Sequence, residues 1–278
     1  MIINADSAQV YADLQILSAR PSEEEMEGIE HRLFGAWDGS EACSAAAWAT
    51  RAKAEIADCH AKGAVPILVG GTGLYIKVLL EGIAPIPEID PAVRAAMRAL
   101  DEDAAWKLLQ IEDPERAADL APGDRQRIAR ALEVKRSTGV TLGDWQRAKA
   151  GGIGEEVTLH PLIVEPERQW VYDRCDARFE AMLDQGAIAE VEALLARGLD
   201  PDLPVMRAIG VPEIAAWLAG EIEADAVIAS GSQATRNYAK RQFTWFRRQL
   251  PPEWPRIHPN WESENIDLDA CFASLLRK

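Results

Sequence analysis

A chain of 278 residues, 48% hydrophobic and 27% charged, has the size and balance to bury one large core, or a core with a smaller insert. No apolar run approaches the roughly 20 residues that cross a bilayer, and residues 1–20 show no basic segment followed by an apolar run, so neither a membrane span nor a secretory leader is expected and the cytoplasm is. The formal net charge of −15 argues against a general affinity for nucleic acid, so any nucleic-acid site has to be a local basic patch. Cys43, Cys59, Cys175 and Cys271 are far apart and form no C-x-x-C pair, which argues against a zinc site or redox motif and for free thiols in a reducing compartment.

In chain order, Ile2-Ile3-Asn4-Ala5-Asp6 reads as a short apolar strand ending in a carboxylate, followed by Ser7, Ala8 and Gln9. In open α/β sheets, ligands sit beyond the carboxyl ends of strands, which makes Asp6 a candidate to hold a reacting group. Glu23-Glu24-Glu25 reads as a solvated helix start, and His31 to Phe34 as a short apolar stretch. Ser44 is an N-cap for a helix over Ala45 to Lys62 that Gly63 closes. Pro66 to Val69 has the unbroken apolar character of a buried parallel strand. Gly70-Gly71-Thr72-Gly73 and a helix from Leu74 follow. Such a turn suits close approach of a ligand to the backbone; it equally suits a tight βα turn with Thr72 as N-cap.

Pro85-Ile86-Pro87 marks a change of character. Residues 88–160 read as helices without a convincing strand: Pro91 to Leu100, Ala104 to Ile111, Glu115 to Leu120, and Asp124 to Thr138 with Gly139 as its stop. The last is locally basic, with Gln126, Arg127 and Arg130 on one side and Ile128, Leu132 and Val134 on the buried side. Gly151 to Gly154 reads as a loose loop, and Leu159 to Val164 returns to strand character. Trp170 to Ala196 is amphipathic scaffold broken at Gly186. Arg207 lies in an apolar loop, where it needs a carboxylate or a bound anion as partner. A long helix from Ala224 to Leu250 carries, between residues 236 and 248, Arg236, Lys240, Arg241, Arg247 and Arg248 with interleaved aromatics and no anion. That pattern suits phosphate, sugar and unstacked bases; it also suits a core helix whose cations pair with the acidic remainder. The segment from Pro251 to Lys278 reads as a peripheral strand plus helix.

Five elements in this order resemble the tRNA dimethylallyltransferase (tRNA isopentenyltransferase) family: Asn4 to Tyr11, Val69 to Tyr75, Asp124 to Val134, Met206 to Gly210, and Ala239 to Trp245. The resemblance implies an α/β fold, a P-loop NTPase-like parallel-sheet core with a helical insertion domain. It divides the chain into core residues 1–86, a tRNA-contacting insertion at 87–160 and core residues 161–278 with the basic helix. It implies transfer of a dimethylallyl group from dimethylallyl diphosphate to N6 of the adenine next to the anticodon on its 3′ side, with Mg2+ as cofactor and the tRNA anticodon stem-loop as partner. A monomer is expected, with no membrane partner. Asp6 falls at the family's general base and Arg207 at the arginine that helps bind diphosphate. The implied tRNA contacts are Asp6, Ser7, Ala8 and Gln9; Thr72 and Arg94; Gln126, Arg127, Ile128, Ala129 and Arg130; and Asn237, Tyr238, Ala239, Lys240, Arg241 and Gln242. An adenylate isopentenyltransferase acting on free nucleotide would need neither the basic helix nor the insert.

The sequence departs from the family pattern in two places. Ala8 stands where methionine is common, and no G-x-[TS]-x-x-G-K-[ST] loop precedes the strand that leads to Asp6. Gly70 to Gly73 is no substitute, because no Lys-Ser or Lys-Thr pair follows it. The expectation is that the first strand and phosphate loop are missing through a gene start placed at an internal methionine or a fragment. The alternative is a short form that binds tRNA without prenylating it.

Overall fold

The computed structural model describes residues 1–259. It divides into two compact units, Met1–Leu79 with Glu156–Lys278, and Leu80–Glu155. The core unit opens with β1 (Ile2–Asn4), which lies between β2 (His31–Arg32) and β3 (Ile67–Val69), all parallel. Ile3 pairs with Arg32 on one side and Leu68 on the other. Two correction points arise here. Glu23 to Glu25 form exposed turns rather than a continuing helix: Ser22 and Glu25 cap each other as at a helix start (2.8 and 3.2 Å), but Glu27 and Gly28 take φ +48° and +73° and end the turn. β3 is parallel as expected but not buried: among the described residues it pairs on one side only, and Ile67 and Val69 stay 49% and 52% exposed.

α1 (Ala45–Ala61) starts where Ser44 accepts from the Ala47 N–H (3.1 Å). Its Trp48 is fully buried, stacks on Tyr75 at 4.7 Å between ring centroids, and donates its indole N–H to the Asn4 carbonyl (2.8 Å). Tyr75 belongs to α2 (Gly73–Glu81). One tryptophan therefore ties α1, α2 and the end of β1 together.

In the second unit, β4 (Gly82–Ile83) is followed by α3 (Pro91–Ala99), α4 (Glu102–Glu112), α5 (Pro114–Asp119), α6 (Arg125–Thr138) and α7 (Leu142–Arg147). Asp90, Asp101, Asp113, Asp124 and Thr141 cap these helices with their side chains. Gly139 ends α6 at φ +75°, a left-handed conformation that favours glycine. Leu109, Ile128, Ala131, Leu132 and Val134 form the unit's own apolar core. β5 (Ala150–Gly151) pairs antiparallel with β4, a short strand that the helical reading of 88–160 left out. That pairing sets the unit's limits at Leu80 and Glu155, ahead of 87–160 at both ends. Gly152 is no loose loop residue: a Cβ there would overlap the Leu80 carbonyl.

The chain then returns to the core unit through β6 (Ile163–Val164). α8 (Arg168–Met182) continues through a single wide turn (Leu183–Ala187), where Gly186 takes φ +109°, into α9 (Ile188–Ala196). Glu190 on α9 accepts the backbone N–H groups of Gln15, Ile16 and Leu17 (2.5, 2.8 and 2.9 Å) and so fixes the loop after Tyr11. A short 3-10 turn (Pro204–Arg207) leads to α10 (Val211–Leu218). α11 (Ala224–Gln249) packs along α8, and β7 (Arg256–Ile257) pairs with β6. The rest of the expected tail, with Cys271, lies outside the described residues.

Candidate active site and the basic helix

β1 delivers Asp6, and an asparagine sets its geometry. Asn4 is fully buried. Its side chain accepts from the Asp6 N–H (2.8 Å) and donates to the carbonyls of Asp6 and Leu33 (3.0 and 3.1 Å). The Asp6 carboxylate in turn accepts the N–H of Ala8 (2.8 Å) and of Gln9 (3.4 Å) through Oδ1 alone. Oδ2 makes no hydrogen bond among the described residues. The result is a carboxylate pinned by one oxygen with the other free.

Around it, the Ser7 N–H donates to the Thr72 hydroxyl (2.9 Å), which donates to the Ser7 hydroxyl (3.1 Å). Thr72 thus spends its side chain on Ser7 instead of capping α2. The Tyr238 hydroxyl of α11 lies within hydrogen-bonding reach of Thr72, Ser7 and Gln242. Burial pushes its phenol up first, and the nearby Asp6 charge pushes it further the same way. Tyr238 therefore stays neutral. Behind the turn, the Tyr75 hydroxyl points at the Cys43 sulfur (3.4 Å), and the Cys43 N–H donates to the Tyr11 hydroxyl (3.1 Å). Burial raises the Tyr75 phenol and the Cys43 thiol, so Cys43 is no thiolate nucleophile.

Among the expected site residues, Asp6, Ser7, Thr72, Tyr238 and Gln242 come together. Gln9 commits its amide NH2 to the protein, donating to the carbonyls of Ser18 and Ala19 (3.1 and 2.9 Å). Arg207 is exposed on its 3-10 turn and its ion pair, at 4.0 Å, is to Asp202. The partner is a carboxylate, one of the two kinds expected, but the arginine is exposed rather than held inside an apolar loop, and among the described residues it makes no hydrogen bond or ion pair to the Asp6 cluster. Arg94, Gln126 and Arg127 are exposed, and Arg130 is half-buried. Ile128 is fully buried in the second unit's core and Ala239 is buried on the inner face of α11, so neither offers a side chain to a ligand. Glu133, also buried, accepts from Arg98 (2.8 Å) and Arg130 (3.5 Å).

On α11 the cations divide. Arg236 pairs with Asp176 and Arg247 with the buried Glu165, as a scaffold helix would have it. Lys240, Arg241 and Arg248 are exposed and make no ion pair among the described residues, although Arg241 stacks over the Tyr238 ring at 5.4 Å. The structural reading holds for Arg236 and Arg247, which are neutralised by other elements. Sequence reasoning missed Asn4 as the anchor of Asp6, and missed Trp245, whose indole abuts Gly73. The signal for Trp245 was present in its spacing: Tyr238, Gln242 and Trp245 fall on one helical face.

The IPP transferase family model matches residues 9–249. The tRNA dimethylallyltransferase of Erythrobacter litoralis is 65% identical over 277 residues, spanning 100% of this chain and 86% of that protein. That of Novosphingobium aromaticivorans is also 65% identical over 277 residues, spanning 100% of this chain and 97% of that protein. Among solved structures, the full-length tRNA isopentenylpyrophosphate transferase of Bacillus halodurans aligns with a TM-score of 0.69 at 29% identity, covering 98% of this chain and 87% of that one. A eukaryotic dimethylallyltransferase captured acting on tRNA aligns with a TM-score of 0.73 at 27% identity, covering 88% of this chain and 63% of that one.

Proposed function

Because the chain belongs to the IPP transferase family, whose close relatives are tRNA dimethylallyltransferases, we propose that it moves a dimethylallyl group from dimethylallyl diphosphate onto N6 of the adenine 3′ to the anticodon. One observation carries the chemistry: Asp6 is held by Oδ1 on two backbone N–H groups while Oδ2 is left open beside Thr72 and Tyr238. The lone pair of N6 is delocalised into the ring and attacks poorly. As N6 bonds to C1 of the dimethylallyl group, the C1–O bond to diphosphate breaks and pyrophosphate leaves. The N6 proton passes to Asp6 Oδ2, which prevents charge building on the base. The adenine has to leave its stack to reach a strand end, so backbone contacts on both sides of it are needed.

Lys240, Arg241 and Arg248 supply unpaired positive charge for those contacts on the helix that also carries Tyr238. Arg94, Gln126, Arg127 and Arg130 are proposed to add contacts from the second unit. Arg207, exposed and only loosely paired, is proposed to meet the diphosphate. The P-loop-like part of the reading rests on β3. Its unpaired edge and exposed Ile67 and Val69 support a proposal that a parallel strand bearing a phosphate loop belongs against it. Mg2+ is proposed to arrive with the diphosphate, since it favours phosphate oxygens and water over an all-protein cage. Among the described residues no three His, Cys, Asp or Glu side chains converge on a cation position. The protein is proposed to act as a monomer.

The RNA-facing part of the proposal is tested at Arg241. Arg241→Ala is expected to weaken tRNA binding several-fold and to lower the salt slope of the affinity by about one unit. Filter binding across a salt series reads both. Unchanged affinity with an unchanged slope would return α11 to a purely structural role.

A further inference from the structure

We propose that Trp245 is a positioning residue: it locks the register between α11 and the Asp6 turn, and so aligns the RNA-gripping face of the helix with the catalytic carboxylate. The proposal rests on the transfer reaction above. It starts from the glycines of the turn after β3. A Cβ on Gly70 would overlap the backbone of Ala5. A Cβ on Gly71 would overlap the Gln242 amide, and one on Gly73 would overlap Nε1, Cδ1 and Cε2 of Trp245. Each glycine is thus matched to a specific neighbour, and two of the three neighbours stand on α11. The turn itself is fastened to the Asp6 segment, because the Thr72 N–H donates to the Ala5 carbonyl (3.1 Å) and the Ser7 N–H to the Thr72 hydroxyl (2.9 Å).

Tyr238, Gln242 and Trp245 recur at four and then three residues, so they form one stripe of α11. The top of the stripe touches Ser7 and Thr72, the middle touches Gly71, and the bottom touches Gly73. Lys240, Arg241 and Arg248 lie exposed on the same rigid helix. A slip of α11 against the turn therefore carries the RNA-facing cations away from Asp6 by the same amount. Misplacement of about 1 Å can cost on the order of 100-fold in rate.

The indole also carries an unexplained cost. Trp245 Nε1 is buried and has no hydrogen-bond partner among the described residues. A side chain whose task was to fill space would do so without an orphaned N–H. What the indole provides is its pyrrole edge against Gly73, a flat contact that fixes the helix along its axis.

A double-mutant cycle tests this. Gly73→Ala puts a methyl group where the pyrrole edge lies. It is expected to lower kcat by about 10–100-fold with tRNA Kd within about twofold, because the cations are untouched. Trp245→Leu is expected to lower kcat by about tenfold, again at near-constant Kd. Gly73→Ala/Trp245→Leu removes the overlap and is expected to recover at least about tenfold over Gly73→Ala alone, a coupling that independent sites do not show. Multiplicative losses in the double variant, or losses that appear in Kd and melting temperature but not in kcat, would overturn the proposal. If Gly73→Ala does not fold, Trp245→Phe against Trp245→Leu decides. Phe keeps a flat ring at the contact and is expected within about threefold of wild-type kcat; wild-type kcat in Trp245→Leu overturns the proposal. Absence of transfer by the wild-type protein would instead contradict the reaction itself, so the two failures are distinct.

Discussion

Asp6→Ala is expected to lower kcat by about 100- to 10,000-fold while tRNA affinity stays within about twofold. The carboxylate offers a free basic oxygen at the β1 end, since only Oδ1 is committed to Ala8 and Gln9 among the described residues. Tyr238 and Tyr75 are held neutral by burial and the Cys43 thiol is raised, so no neighbour takes over as base. Asp6→Ala also removes an acceptor from the turn, which mixes a structural loss with a chemical one. Asp6→Asn separates them: it keeps Oδ1 for the two N–H groups and loses the basicity. Both variants are expected to be similarly slow in single-turnover transfer. An Asn variant near wild-type rate would leave Asp6 with a structural role only.

Trp48→Ala is expected to destabilise the core unit by about 3–5 kcal/mol, read from the urea midpoint. The indole is fully buried, stacks on Tyr75, and satisfies the Asn4 carbonyl. Removing it leaves a large cavity beside the residue that sets Asp6, and strands a buried acceptor. Trp48→Phe keeps most of the volume and the stack but loses the N–H donor, and is expected to cost about 1–3 kcal/mol. A loss below about 1 kcal/mol in Trp48→Ala would mean that α1 is not anchored to β1 through this side chain.

Local chemistry explains what was legible in the sequence. Ser44, Asp124 and Gly139 mark helix ends because capping involves neighbours within a few residues, and they stand at helix ends in the structure. The Ile2 to Asp6 strand end was visible for the same reason. Features made by distant pairs were not. Trp245 and Gly73, or Glu190 and the Gln15 to Leu17 backbone, meet only after folding, and nothing in either segment names its partner. Charge was half legible: the run on α11 was plain, but Asp176 and Glu165, which neutralise Arg236 and Arg247, lie in other elements. β3 reads as buried because its residues are apolar, yet burial depends on which strands lie beside it. Arg207 was misjudged similarly, since an apolar neighbourhood in sequence became an exposed turn in space.

The most direct test of the account is the fate of the dimethylallyl group. The purified protein is incubated with Mg2+, labelled dimethylallyl diphosphate and a tRNA bearing adenine next to the anticodon, and the tRNA is then digested to nucleosides. The account predicts that the label is recovered on N6 of that adenine, and that Asp6→Asn tRNA, bound equally well, remains unlabelled. Recovery of bound but unlabelled tRNA from the wild-type protein at saturating donor, or of label on free adenine nucleotide instead, would contradict it.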